Sequence, residues 1–304
     1  MENNVTQAEN HKSRLPPWFI GFAFAVMVVL FGVRFIAIPL SNEGAGPFWG
    51  GALRLMLAVA ILLLFMLIRK PTVPNARDIM FTVTYGVFGV GFNIGLMYWG
   101  LMGVNSDIAA IVYASVPLMV ITLSICLGLE RFHIRLLTGA MFGLWGVEVI
   151  FGVAIGFGAN LTSLLAIISG AFFNAIGMLA AKKAFHVDTI LMNSVGFTVG
   201  AVVLLCMAFL TGESFSLPTQ QSTWLAIGFL VAVSVVGYSL NVYIIQQKSV
   251  SYASFSNVLT PLVTFAASSA FLGEGITPAF IVGAGLIFAG LFFSGHLSLK
   301  KKNR

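Results

Sequence analysis

Long apolar stretches alternate with short polar breaks along this chain, and the pattern predicts membrane-spanning helices. A membrane helix needs about 20 mostly apolar residues, and the breaks at polar, proline or glycine positions leave ten such stretches. The shortest breaks are GVNSD, between stretches 3 and 4, and QQKSVS, between stretches 8 and 9. The predicted spans 1 to 10 are 18–40, 47–69, 79–102, 106–129, 134–152, 161–182, 188–211, 222–246, 251–272 and 279–297. We therefore predict an all-α integral membrane protein with ten transmembrane helices.

Composition supports a membrane protein and argues against a soluble one. Hydrophobic residues make up 59% of the chain and charged residues 9%, whereas ordinary globular proteins carry about 25% charged residues. The two cysteines, Cys126 and Cys206, lie inside apolar runs, where a cysteine usually acts as a small hydrophobe. We expect no disulfide, no metal site and no cofactor. Residues 1–17 are polar and lack the apolar core of a cleavable signal peptide, so we expect a short N-terminal tail.

The basic residues predict the orientation of the spans. If the N-terminus is cytoplasmic, fourteen of the sixteen Lys and Arg residues lie in inside segments and the outside loops hold none. The other two, Arg34 and Arg54, lie within spans, while Glu43, Glu213 and Glu274 fall outside. This asymmetry follows the positive-inside rule. It predicts an inner (plasma) membrane protein with both termini cytoplasmic, and it explains the net charge of +6 without nucleic-acid binding.

The chain contains an internal repeat. A shift of 144 residues, without gaps, aligns Pro117 with Pro261 and Glu130 with Glu274, and three small residues of each copy also match. Five spans per copy is an odd number, so the two copies must cross the membrane in opposite senses. Inverted repeats of this kind recur in secondary transporters, whose binding site lies near the midplane between the copies.

This repeat divides the chain into five parts. Residues 1–17 form a cytoplasmic N-terminal tail, 18–152 the first repeat, 153–160 an external linker, 161–297 the second repeat and 298–304 a basic cytoplasmic tail.

The residues that repeat resemble those of a known family. Ala109, Pro117, the LGLER motif at 127–131 and two later glycines return in the second copy as Ala253, Pro261, LGEGI at 272–276 and two glycines. This pattern, together with LFGVRFIAIPL in span 1 and ALRLMLAVAILLL in span 2, resembles the EamA family of the drug/metabolite transporter superfamily. LGLER carries one residue more than the typical LGER, and the aspartate of the NSD loop is a second departure. The resemblance extends over about residues 18–297.

The resemblance implies a fold and a function. It implies ten helices around a central cavity, with spans 5 and 10 at the periphery, where they are often associated with dimer contacts. We accordingly expect a monomer or a weak homodimer. It also implies export of small metabolites such as amino acids, although no motif selects one substrate.

Two pairs of repeated residues have predicted structural roles. Pro117 and Pro261 stand near the middle of spans 4 and 9, where proline removes a helix hydrogen bond and should kink the helix or act as a hinge. Glu130 and Glu274 each precede the next helix by a short turn. A carboxylate there favours helix capping over proton coupling.

Three charges lie inside predicted spans. By the rise of about 1.5 Å per residue, Arg34, Arg54 and Glu148 all fall in the outer half of the membrane. An unpaired charge is expensive there, so we expect Glu148 to neutralise one arginine and the other arginine to face the cavity, where it could meet a substrate carboxylate. The alternative is that each arginine extends to the outer interface.

Other cavity candidates are polar and aromatic residues within otherwise apolar spans. A buried amide needs partners, which favours the asparagines, whereas aromatic stripes more often serve packing. Besides Arg54, the candidates are Tyr85, Phe88, Asn93, Tyr113, Asn174, Tyr238, Asn241 and Asn257.

Other functions have less support in the sequence. It contains no HExxH, GxSxG or P-loop motif, so we expect no enzyme activity. A lipid-linked substrate flippase and a non-transporting membrane subunit remain as alternatives to a metabolite transporter. Proton coupling and facilitated diffusion are both open, since Glu148 is the one acid clearly inside a span.

Overall fold

Helices account for the regular structure of the protein in its computed structural model. The structure describes residues 17–69, 71, 74–128, 133–151, 160–272 and 278–293, and within these ranges no strand occurs. The helices fall into ten segments at the positions of the ten predicted spans, and we number them accordingly. Segments 1 to 10 are Pro17–Asn42, Pro47–Arg69, Ala76–Gly100, Ser106–Cys126, Ile134–Phe151, Leu161–Lys183, Thr189–Leu210, Gln221–Gln247, Val250–Leu272 and Pro278–Phe293.

Seven of these segments are long and apolar enough, by length and composition, to cross a membrane. They are segments 1 to 4 and 6 to 8, and their mean hydropathy ranges from 1.5 to 2.6. Segments 5, 9 and 10 do not satisfy the same criteria within the described residues, although Ile281–Gly290 in segment 10 is a shorter apolar helix. The all-helical fold is therefore confirmed, and the count of ten spans stays a prediction.

Segments 3 and 8 each contain a stretch of π-helix. In segment 3 it covers Tyr85–Phe92, between the α-helices Ala76–Thr84 and Asn93–Gly100. In segment 8 it covers Val233–Tyr238, between Gln221–Ala232 and Ser239–Gln247. These segments are equivalent in the two repeats. A π-helical turn widens the helix and leaves backbone carbonyl groups for other donors, which is why such turns often lie at functional sites.

Segments 4 and 9 are each broken into two helices, and the breaks differ. Segment 4 consists of Ser106–Tyr113 and Val116–Cys126, so Pro117 lies in the first turn of the second helix. Proline is tolerated there because that N–H has no partner within the helix. Segment 9 breaks earlier, between Val250–Ser254 and Ser256–Leu272, and the second helix continues through Pro261. The kink predicted at Pro117 is thus a helix start, and the break of segment 9 precedes its proline by six residues.

The contacts between segments form the same pattern when the first and second repeats are interchanged. Segment 2 packs against segment 7, and segment 5 against segment 10. Segment 3 packs against segments 6 and 7, and its counterpart, segment 8, packs against segments 1 and 2. Likewise, segment 4 packs against segment 6, and its counterpart, segment 9, packs against segment 1. This arrangement is the one expected for two copies of one five-helix unit.

The glycines that repeat along the sequence meet at the contact between segments 5 and 10. A Cβ added at Gly146 would lie 2.5 Å from the carbonyl oxygen of Gly283, and one added at Gly290 would lie 2.5 Å from that of Gly139. Small residues allow membrane helices to approach this closely. The two segments share a small apolar core with segments 4 and 9, outside the main core.

Polar contacts join segments at both ends of the helices, and the first of them links the two repeats. The carboxylate of Glu213 accepts hydrogen bonds from the backbone N–H groups of Phe48 (3.2 Å) and Trp49 (2.7 Å), in the first turn of segment 2. The Lys182 ammonium donates to the backbone carbonyls of Ile245 (2.9 Å) and Lys248 (3.0 Å), at the end of segment 8. Anions at helix N-termini and cations at C-termini are favourable.

Several predicted features lie outside the described residues. These are Glu130 and Glu274, and with them their proposed capping role, most of the N-terminal tail, residues 153–159 of the external linker and the C-terminal residues 294–304.

Candidate functional site

A small cavity lies between segments 1, 6, 8 and 9. Its volume is about 10 Å³, which is room for about one water molecule. Segment 1 belongs to the first repeat and segments 6, 8 and 9 belong to the second, so the cavity lies at the boundary of the two copies. Its lining residues are Phe31, Arg34, Asn174, Met178, Tyr238, Asn241 and Asn257.

Arg34 is the cation of this cavity. Its side chain is 2% exposed. The guanidinium carbon lies 4.6 Å from the ring centre of Phe31, 5.1 Å from that of Phe35 and 5.5 Å from that of Tyr113. Aromatic faces attract a cation at these distances and compensate in part for lost water. The Nε and Nη2 atoms of Arg34 are buried and have no hydrogen-bond partner.

Arg54 is equally buried but is held by hydrogen bonds. Its Nε donates to the Ser234 hydroxyl at 2.7 Å, and its Nη1 donates to the Tyr98 hydroxyl at 3.3 Å. Its Nη2 has no partner, and the guanidinium carbon lies 6.0 Å from the ring centre of Tyr238. Through Tyr238, Arg54 stands next to the cavity that Arg34 lines. The structure thus places Arg34 at the cavity wall and Arg54 behind it.

The predicted pairing of an arginine with Glu148 is wrong. Glu148 has an exposed side chain on segment 5, which packs mainly against segment 10. No ion pair of Arg34 or Arg54 occurs within the described ranges. The helical rise gave the depth of each charge in the membrane but not the direction in which it faces. Both arginines are buried, at 2% and 0% exposure, so neither extends to the outer interface.

Tyr238 and Asn241 contribute further unpaired polar atoms to the cavity. The Tyr238 hydroxyl and Asn241 Oδ1 are buried without a hydrogen-bond partner. The Tyr238 ring packs edge-on against Phe31 (5.4 Å) and Phe197 (5.7 Å). It lies at the end of the π-helical stretch of segment 8, with Asn241 one turn later. Unpaired buried polar groups are rare in folded proteins, and here they share one wall.

The asparagines of segments 6 and 9 complete the polar lining. Asn257 donates from its side-chain amide to the carbonyl of Ser254 at 3.1 Å, next to the break at Phe255. Asn174 is half-buried and lies opposite on segment 6. Of the nine predicted cavity residues, Asn174, Tyr238, Asn241 and Asn257 line the cavity.

In the first repeat, the residue that aligns with Asn257 is held by a hydrogen bond. The Tyr113 hydroxyl donates to Asn93 Oδ1 at 2.6 Å, and Asn93 Nδ2 donates to the carbonyl of Gly89 at 2.9 Å. Gly89 belongs to the π-helical stretch of segment 3. Tyr113 aligns with Asn257 in the 144-residue repeat. The aligned residues Tyr113 and Asn257 thus have different hydrogen-bond partners in the two repeats.

Two predicted candidates lie away from the cavity. The Tyr85 hydroxyl donates to Asn193 Oδ1 at 2.8 Å, and Asn193 Nδ2 donates to the Ser239 hydroxyl at 3.2 Å. Phe88 belongs to an aromatic cluster with Phe92 and Phe173, at 5.4–6.0 Å between ring centres. Neither residue lines the cavity.

The sequence interpretation missed Phe31, Met178 and Tyr98. Phe31 precedes Arg34 by three residues and Met178 follows Asn174 by four, so helical spacing could have placed each on the face of its polar neighbour. Tyr98 carried no such signal, because its role depends on how segment 3 meets segment 2.

Comparison with known proteins agrees with this architecture. The EamA-like transporter family matches the chain twice, at residues 18–152 and 161–295. The chain belongs to this family. The two matched regions contain segments 1–5 and 6–10, so each five-segment unit is one copy of the family's repeat, and the cavity lies between the copies.

Similar proteins are also transporters by name. An uncharacterized transporter of Bacillus subtilis, YoaV, is 23% identical over 91% of this chain and 96% of its own length. An uncharacterized inner membrane transporter of Escherichia coli, YedA, is 23% identical over 90% and 89%. A solved crystal structure superimposes with a TM-score of 0.72 over 92% of this chain and 99% of the other, at 21% identity, which shows a shared fold. This EamA-like protein is a multi-pass membrane protein with a role in transport.

Proposed function

We propose that this EamA-like protein exports small metabolites, amino acids and related compounds foremost, by alternating access at the cavity between its two repeats. The observation that carries the proposal is the set of unpaired polar atoms on Arg34, Tyr238 and Asn241 around one buried cavity. Buried polar groups without partners cost free energy, and a polar ligand would supply the missing hydrogen bonds.

Differences between the repeats support alternating access. Segments 4 and 9 are equivalent in sequence, yet they break at different places, and Asn257 lines the cavity while the aligned Tyr113 donates a hydrogen bond to Asn93. In an inverted pair, exchange of these two conformations would close the present cavity and open its counterpart toward the other side of the membrane. The π-helical stretches of segments 3 and 8 border the same region and supply places where a helix can change its register.

The proposal includes the orientation and the assembly of the protein. The charge distribution supports a plasma-membrane protein with both termini in the cytoplasm. In that orientation Glu213 is outside, and Lys182 and Arg69 are inside. Segments 5 and 10 lie at the periphery and expose large apolar side chains such as Trp145 and Phe288, which supports a monomer or a weak homodimer surrounded by lipid.

Transport by the purified protein tests this function. The protein would be reconstituted in liposomes and tested for counterflow of a panel that contains the amino acids, their amines and other small metabolites. A ligand that binds the folded protein also raises its unfolding temperature, so a thermal screen would select compounds beforehand. We expect saturable flux of at least one amino acid that does not depend on the lipid used. Flux of lipid-linked compounds alone would favour a flippase, and no flux of any compound would refute transport.

A further inference from the structure

The two buried arginines present different edges to their surroundings. In a guanidinium group, Nε and Nη2 lie along one edge and can donate two parallel hydrogen bonds to a carboxylate. In Arg54 this edge is interrupted, because Nε already donates to Ser234 at 2.7 Å. In Arg34 both Nε and Nη2 are buried and unpaired. Arg34 therefore keeps a complete bidentate edge, and it is the arginine that lines the cavity.

Aromatic rings hold the Arg34 guanidinium without using its donors. Phe31, Phe35 and Tyr113 lie within 4.6–5.5 Å of its central carbon. Rings stabilise the charge through their faces and leave the N–H groups available for an anion. A buried cation that lacks an anion is costly, and within the part of the chain that the structure describes no carboxylate pairs with it. The charge and the donors for an anionic group are thus in place, and the cavity would have to widen to admit one.

We propose that Arg34 binds the carboxylate of the transported substrate and that compounds without a carboxylate are rejected. Arg54 is a positioning residue, because it acts on the cavity through Tyr238. The unpaired Asn241 Oδ1 is an acceptor on the same cavity and suits an ammonium group of the substrate. This inference rests on the proposed transport function and names its substrate class.

Substrate analogues test the inference on the unchanged protein. For the amino acid that gives the strongest counterflow, competition would be measured with its amide and with the amine that lacks the carboxylate. A charge-assisted hydrogen-bond pair supports a loss of roughly 10- to 100-fold in half-maximal competition for both analogues. If the amine competes as well as the amino acid, the carboxylate site is wrong while transport stands. If nothing in the panel is transported, the proposed function itself fails, and the inference with it.

Variants then assign the site to Arg34. Arg34→Gln should abolish competition by carboxylates, and Arg34→Lys should retain the charge but lose the two-point geometry, with an intermediate effect. Arg69→Gln is the matched control, since it also removes an arginine charge but at a 67% exposed side chain. Gel filtration and thermal unfolding would show whether each variant folds, and the analogue series decides the question if Arg34→Gln does not. Carboxylate selectivity that persists unchanged in a folded Arg34→Gln protein would overturn the assignment.

Discussion

The contact between Gly89 and Gly177 allows a quantitative test of the packing around the cavity. Gly89 lies in the π-helical stretch of segment 3, and Gly177 lies on segment 6, three residues after Asn174. A Cβ added at Gly177 would collide with the Cα of Gly89 and lie 2.7 Å from its backbone nitrogen. Since the obstacle is backbone and not a flexible side chain, the two helices would have to move apart. Overpacking of this kind costs about 1–3 kcal/mol.

A second glycine supplies the matched control. Gly228 lies within a helix of segment 8, and an added Cβ there meets nothing within 4 Å. Both Gly177→Ala and Gly228→Ala gain the higher helix propensity of alanine, about 1 kcal/mol. The difference between the two variants therefore isolates the cost of the contact.

Reversible unfolding in mixed detergent micelles measures this difference. We expect Gly228→Ala to be as stable as the original protein or more stable, and Gly177→Ala to be about 1–3 kcal/mol less stable than Gly228→Ala. Equal free energies of unfolding for the two variants would refute the close approach of segments 3 and 6, and with it the wall of the cavity that Asn174 forms.

Other contacts lead to smaller effects. Glu213→Ala should destabilise the protein by about 1 kcal/mol, because segment 2 loses the acceptor for two N–H groups of its first turn. Glu213→Gln keeps one acceptor oxygen, so its stability should lie between those of Glu213→Ala and the original protein. An unchanged unfolding temperature of Glu213→Ala would contradict the contact. A double-mutant cycle of Tyr85→Phe and Asn193→Ala should give a coupling free energy of about 0.5–1.5 kcal/mol, and additive effects would mean that their hydrogen bond does not contribute. Arg69→Gln should change the free energy of unfolding by less than about 0.5 kcal/mol, since its 3.9 Å ion pair with Asp188 joins side chains that are 67% and 34% exposed; a loss above about 1 kcal/mol would argue for a role beyond that pair.

The positions of the helices could be predicted from the sequence because each depends on local composition. Every predicted span overlaps an observed segment, and the ends differ by a few residues, as at segment 3, which begins at Ala76 and not at 79. The π-helical stretches could not be predicted in the same way. They depend on contacts between segments, such as the close approach of Gly89 to Gly177, which an apolar pattern does not reveal.

The sequence could indicate which polar residues lie within the helices but not which of them line the cavity. Polar residues inside apolar spans are expensive and so point to a cavity, and four of the nine candidates line one. Which arginine faces the cavity depends on the rotation of segments 1 and 2 about their axes, and depth along the membrane carries no information on rotation. For the same reason Glu148 matched the arginines in depth and yet faces outward from segment 5.

The chemistry of the cavity is less symmetric than its architecture. Arg34 and Arg54 both belong to the first repeat, whereas Asn174, Tyr238, Asn241 and Asn257 belong to the second. A zwitterion bound as we propose would contact the charge of one repeat and the amides of the other at the same time. Since a ligand shifts a conformational equilibrium only through different affinities for the two states, a substrate that joins both repeats can favour one relative position of them. A compound that contacted only Arg34 would make no contact with the amides of the second repeat. We therefore expect amino acids to be transported faster than simple carboxylates of the same size.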